Sequence, residues 1–167
     1  MPTICRLLRL TPDRAVSLIA EHGSLAEAVA SANIYSDVYR YWHGIQYLLA
    51  QHSPESPAAN WLGAGDAVSE DSKDVPAARV ILPRDVALLA ESLQGIEPDE
   101  LAPYYDAGAL DRAGIYPGCW EDWEETFDPL GQMLEYYSYH REFAMKRASS
   151  GEALLLYFEF LDDGSDS

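Results

Sequence analysis

Two cysteines, Cys5 and Cys119, are too few and too far apart in 167 residues to form a disulfide framework. Histidine is equally sparse. Four scattered copies with no ligand spacing give no reason to expect a metal or any other cofactor. Bases number 11 against 28 acids, a formal net charge of −17, and a field of that sign repels nucleic acid and anionic lipid. No apolar run approaches the roughly 18 residues that span a bilayer. The N-terminal MPTICRLLRL carries arginines where a signal core would run. These absences predict a cytoplasmic protein with reduced thiols that binds neither nucleic acid nor membrane. A serine triad, a nucleotide fingerprint and a basic patch are also missing, so no motif fixes a chemistry.

What is present is a well-supplied core. With 48% apolar residues over this length, one domain is expected across 1–161, followed by a polar tail, 162–167, that frays. The charge is uneven: residues 1–50 balance, and the whole acidic excess falls in 51–167. Between Glu91 and Asp128 the only base is Arg112.

The stretch 37–52, DVYRYWHGIQYLLAQH, has the clearest helical period. Val38, Tyr41, Trp42, Ile45, Leu48 and Leu49 form one apolar face, and Tyr39, His43 and Tyr47 stack on the other. Gly44 in its middle predicts the close approach of another backbone. Residues 3–10 read as a first strand. Thr11-Pro12 and Ser24 with Glu27 start two helices, the second with a capping box. An irregular stretch, 53–76, is expected to be tied down over a helix face; its LGAG (62–65) precedes neither a helix nor a lysine, which rules out a phosphate loop. Short strands follow at 66–69 and 79–82, a helix opens at Pro83, and residues 97–118 read as short turns. The longest helix runs 130–149, its inner face widened by Tyr136, Tyr139 and Phe143. Last comes ALLLYFEFL, 153–161, apolar on both sides and therefore central and covered above and below.

Three groups of residues could carry function. His43 is a candidate base or pocket donor, or a histidine hydrogen-bonded between tyrosines. Arg79 could take a carboxylate or phosphate, or pair with Glu70, Asp71 and Asp74. In 115–128, Trp120 and Trp123 sit among Glu121, Glu124 and Glu125, which is either an acidic turn with its rings folded inward or a contact surface with aromatic anchors. Cys119, among acids, makes a poor nucleophile.

YWHGIQYLL (41–49), LGAGDAV (62–68), AARVILPRDV (77–86), GIYPGCW (114–120) and FAMKRASSGEALLLY (143–157) together resemble the YfbM-like family, a domain of unknown function found mainly in bacterial proteins. The chain departs from that pattern at Tyr39, where an aspartate is expected, and at Pro76-Ala77 in place of Gly-Pro. The resemblance implies a compact fold of mixed α and β and carries over no catalytic residue or cofactor.

The sequence thus predicts an α+β domain: a small mixed sheet centred on 153–161, flanked by five or more helices. Its leading functional reading is a non-catalytic acidic binding protein that masks or inhibits a basic protein partner, as an immunity protein or adaptor would. The alternative is a small-ligand binder or uncharacterised enzyme with a pocket around Trp42, His43, Arg79, Tyr116 and Trp120.

Overall fold

The computed structural model describes residues 3–73 and 75–161. In chain order the elements are β1 (Thr3–Leu10), α1 (Pro12–Ile19), α2 (Leu25–Ser31), β2 (Tyr35–Tyr39), α3 (Trp42–His52), β3 (Asp66–Ala67), β4 (Arg79–Ile81), α4 (Pro83–Gln94), α5 (Ala107–Arg112), α6 (Trp120–Glu124), α7 (Pro129–Ser149) and β5 (Ala153–Phe160). Tight 3-10 turns at Pro57–Gly63, Pro98–Glu100 and Ala102–Tyr104 fill the intervals. The expected tail, 162–167, lies outside the described residues.

The fold is α+β, and the sheet runs β2-β1-β5-β4-β3 with β5 at its centre. Every pairing is antiparallel, so the sheet is not mixed as expected. The long ladder joins β1 to β5 from Thr3 opposite Phe160 to Leu10 opposite Ala153. Alternation on these strands feeds two cores. Cys5, Leu7, Leu154, Leu156 and Phe158 face a large cluster that includes Ile45 and Leu48 of α3, Leu89 of α4, and Met133 and Tyr137 of α7. Leu8, Leu10, Val80, Ala153 and Leu155 face a smaller one with Ala15 and Leu18 of α1 and Ala28 of α2. The β5 strand is therefore covered on both faces, as its doubly apolar pattern requires.

The caps follow local chemistry. Thr11, Ser24 and Asp128 each accept a backbone N–H of the first helical turn, from Arg14, Glu27 and Gly131. At Ser24 this is the single bond of the anticipated box found among the described residues.

Residues 37–52 are not one helix. Tyr35–Tyr39 pairs with β1, placing Asp37 opposite Arg6 and Ser36 opposite Leu7. At Tyr39 the chain turns through φ 53°, in the left-handed region, and helix begins only at Trp42. The Asp37 carboxylate accepts the Tyr39 N–H at 2.7 Å and fixes the turn. Val38 is buried in a strand as it would be in a helix, which is why the apolar period runs through the break. The ring stack expected of Tyr39, His43 and Tyr47 does not form, because Tyr39 instead stacks on Tyr136.

Gly44 does mark a close approach, to side chains instead of a backbone. A Cβ there would stand 2.7 Å from both the Met133 sulfur and the Trp120 ring. Gly65 is tighter still: φ is +70°, and a Cβ would meet the Val80 carbonyl oxygen at 2.0 Å. Tyr139, expected on the inner face of α7, is 48% exposed, and its hydroxyl donates to Glu135 at 2.8 Å.

His140 is fully buried with its ring 4.4 Å from that of Trp61, and neither ring nitrogen has a hydrogen-bond partner among the described residues. Burial pushes its pKa down to about 3 from the ordinary 6.5. The folded protein keeps the ring neutral while the unfolded chain protonates below pH 6.5. The stability tied to His140 is whole above 6.5 and is lost as pH falls toward 3, at about 1.4 kcal/mol per pH unit. Urea melts at pH 7, 6 and 5 should show a shallower loss for His140→Leu than for wild type. Equal slopes would contradict the buried neutral imidazole.

Candidate functional site

Three of the candidate residues meet where β1 begins, β5 ends and α3 starts. Trp42, at the first turn of α3, is buried, and its indole N–H donates to the Thr3 carbonyl at 2.9 Å. Its ring stacks on Tyr116 with centroids 5.0 Å apart and an 18° tilt, stacks on His43 at 5.4 Å, and meets the edge of Phe158 at 5.2 Å. The Thr3 N–H donates to the Tyr116 hydroxyl oxygen at 2.7 Å, and the Tyr116 N–H donates to His43 Nδ1 at 2.8 Å.

Two of these bonds span more than 70 residues of sequence and the third spans 39, so they staple the 114–117 loop to the sheet and to α3. Energetically the ring dominates. Truncating a buried tryptophan costs about 3–5 kcal/mol, whereas each hydrogen bond contributes about 0.5–1.5 kcal/mol. Burial holds the site together, and the hydrogen bonds set its register.

Because His43 Nδ1 accepts a hydrogen bond, the ring's proton sits on Nε2. Burial lowers the pKa of the ring, which keeps it neutral. Its anchor is a backbone amide instead of the flanking tyrosine hydroxyls suggested by the sequence, and Nε2 has no partner among the described residues. Among the described residues no carboxylate pairs with the ring, and Nε2–H is left as a hydrogen-bond donor.

The same residues wall a cleft of about 690 Å³. Its other side is formed by Asp71, Ser72, Lys73 and Pro76 of the loop before β4, and its lining includes Gly114 and Phe160. This loop is held by its own polar groups: Asp71 Oδ1 accepts the Ala77 N–H at 2.6 Å, and the Ser72 hydroxyl accepts the Val75 N–H at 3.0 Å. The irregular stretch is tied down over helices at 57–63, where the Leu62 N–H donates to Gln46 Oε1 of α3 at 3.0 Å and the Ala58 N–H to the Ser92 hydroxyl of α4 at 3.1 Å. Lys73, Asp71 and Thr3 carried no motif in the sequence. The pairing of β1 with β5 brings Thr3 to this place, and the pairing of β4 with β5 brings the loop that carries Asp71 and Lys73.

Arg79 stands apart from the cleft. Its guanidinium donates to the Ala64 carbonyl at 2.9 Å and the Gly65 carbonyl at 2.7 Å, strapping the chain over β4. Among the described residues it makes no ion pair, and Asp74, one suggested partner, lies outside them. Trp120 is fully buried against α3, with its indole N–H donating to the Ile115 carbonyl at 3.0 Å. It can neither line the cleft nor anchor a partner. Asp111, not anticipated from the sequence, positions it: this carboxylate accepts the Trp120 and Glu121 N–H groups at 2.9 and 3.1 Å.

Trp123 is half-buried, edge-on to Trp120, with the Arg40 guanidinium 5.3 Å above its ring and 4.7 Å above that of Tyr39. Glu121, Glu124 and Glu125 are exposed around it, as is Asp122, and none of the four forms an ion pair among the described residues. Burial, then Asp111 and Asp122, raises the Cys119 thiol pKa, which disfavours the thiolate form a nucleophile needs. Among the described residues no three histidine, cysteine, aspartate or glutamate side chains converge on a common metal position, and no helix is long and apolar enough to cross a membrane.

Nitrogen-detected NMR should find the His43 proton on Nε2 and a titration midpoint below the ordinary 6.5. A midpoint above 6.5, or a protonated Nδ1 at neutral pH, would contradict the Tyr116 hydrogen bond.

The comparisons with known proteins agree with this architecture. A crystal structure of YfbM from Escherichia coli, itself described as a protein of unknown function, is 15% identical. It matches 92% of this chain and 98% of its own, with a TM-score of 0.64, a likeness that speaks for the fold alone. A search of curated proteins gives no match. A family model described as Domain of unknown function (DUF1877) matches residues 1–157, and the chain therefore belongs to that YfbM-like family.

Proposed function

We propose that the protein is a non-catalytic binding protein whose site is the cleft beside Trp42, His43 and Tyr116. The observation that carries this reading is the fixed state of His43: neutral, locked through Nδ1 to the Tyr116 amide, with Nε2 as a donor in a concave site of about 690 Å³. Ligand sites combine concavity, aromatic walls and a few placed polar groups, and those three features coincide here. Among the described residues neither an orienting carboxylate nor a nucleophile is hydrogen-bonded to the ring, which favours binding over reaction. A cytoplasmic location belongs to the same reading, supported by two unpaired thiols, one of them buried.

A second reading is favoured by a separate observation. Glu121, Asp122, Glu124 and Glu125 present four exposed carboxylates without ion-pair partners among the described residues. That surface suits a basic protein that the chain masks or inhibits, with Trp123 as a half-buried aromatic among the carboxylates. Complementary charge of this kind chiefly raises the association rate.

One set of amide NMR titrations separates the two. Small aromatic fragments should shift the amides of His43 and Tyr116 and leave 121–125 unmoved. Oligolysine should do the reverse, losing its effect with added salt and in a Glu121→Lys, Glu124→Lys, Glu125→Lys variant. Fragments that bind only elsewhere would contradict the cleft as the binding site, and oligolysine binding unchanged by those substitutions would contradict the acidic-face reading.

A further inference from the structure

Resting on the cleft reading, we infer that the cleft selects a small planar ligand bearing a carboxylate, held by His43, Tyr116 and Lys73. The polar groups with unused capacity there are mainly donors. His43 offers Nε2–H because Nδ1 is occupied. The Tyr116 hydroxyl already accepts the Thr3 N–H, which leaves its own hydrogen for an acceptor. Lys73 makes no ion pair among the described residues and lines the same cleft.

The acceptors are fewer and partly committed: the Ser72 hydroxyl both accepts from the Val75 N–H and donates to the Val75 carbonyl, and Asp71 uses Oδ1 on the Ala77 N–H and keeps Oδ2. A ligand that supplies two acceptor oxygens and a negative charge satisfies three donors from separate elements of the fold. Charge-assisted bonds of that kind are roughly twice as strong as neutral ones. The half-buried His43 and Tyr116 rings, backed by the buried Trp42, present flat rigid surface that suits a planar ring better than a flexible chain.

The chain's net charge of −17 makes the inference sharp. Its long-range field favours cations, so a preference for an anion can arise only from local geometry. Three probes share one ring and differ in charge: indole-3-acetate, indole-3-acetamide and tryptamine. Amide NMR titrations of the full chain at low salt should show indole-3-acetate binding about tenfold more tightly than tryptamine, the size expected of one charge-assisted contact. The shifts should fall on His43, Tyr116 and Lys73. Lys73→Gln, on an exposed loop, should erase the advantage of the acetate over the acetamide. Tryptamine binding as tightly as the acetate, at the cleft, would overturn the carboxylate assignment and leave the cleft reading standing. Failure of all three probes to shift cleft amides at millimolar concentration would overturn both.

Discussion

The seat of Trp42 is the constraint on which the rest of the site depends. Its indole N–H is tied to the first carbonyl of β1, one face of its ring lies against Tyr116, and its flank meets Phe158 near the end of β5. A single side chain at the first turn of α3 thus senses the pairing of both central strands. Because Thr3 also donates to Tyr116 and Tyr116 to His43, the 114–117 loop cannot move without breaking contacts to the sheet and to α3 together. A cleft built this way is preorganised, and preorganisation reduces the ordering cost that binding would otherwise incur.

Beneath that seat, α3 is pressed against α6 and α7 at Gly44, where the Met133 sulfur and the Trp120 ring leave no room for a methyl group. Trp120 is in turn held by Asp111 through the first two amides of α6. The acidic helix is consequently two-sided: its ring is part of the core, and its carboxylates face solvent. This division explains how a segment that reads as a contact surface also serves as a structural wedge.

Much of the architecture is legible in the sequence because it rests on local signals. The double-faced ALLLYFEFL run identifies the central strand, the Thr11 and Ser24 caps mark helix starts, and the LGAG segment lacks the helix a phosphate loop needs. The errors come from competition between local and tertiary terms. Val38 fits a helical period and a strand equally well, and the choice is made by pairing with β1 and by the left-handed turn at Tyr39. Of the candidate site residues, Trp42, His43 and Tyr116 do converge. Arg79 does not, because two backbone carbonyls claim its guanidinium, and Trp120 does not, because α3 covers it. Lys73 carried no signal, since the place of its loop follows from the pairing of β4 with β5, between residues about 75 positions apart.

The central claim is that the 114–117 loop is fixed to the core through Thr3, Trp42 and His43, and hydrogen exchange at the Tyr116 amide tests it most directly. That amide is half-buried and lies outside any helix or strand, so its protection depends on the His43 bond. The account predicts exchange as slow as at Leu7 and Leu156 in the central ladder, requiring opening of the core. Exchange at the rate of an exposed loop amide, with the β1–β5 ladder still protected, would contradict it.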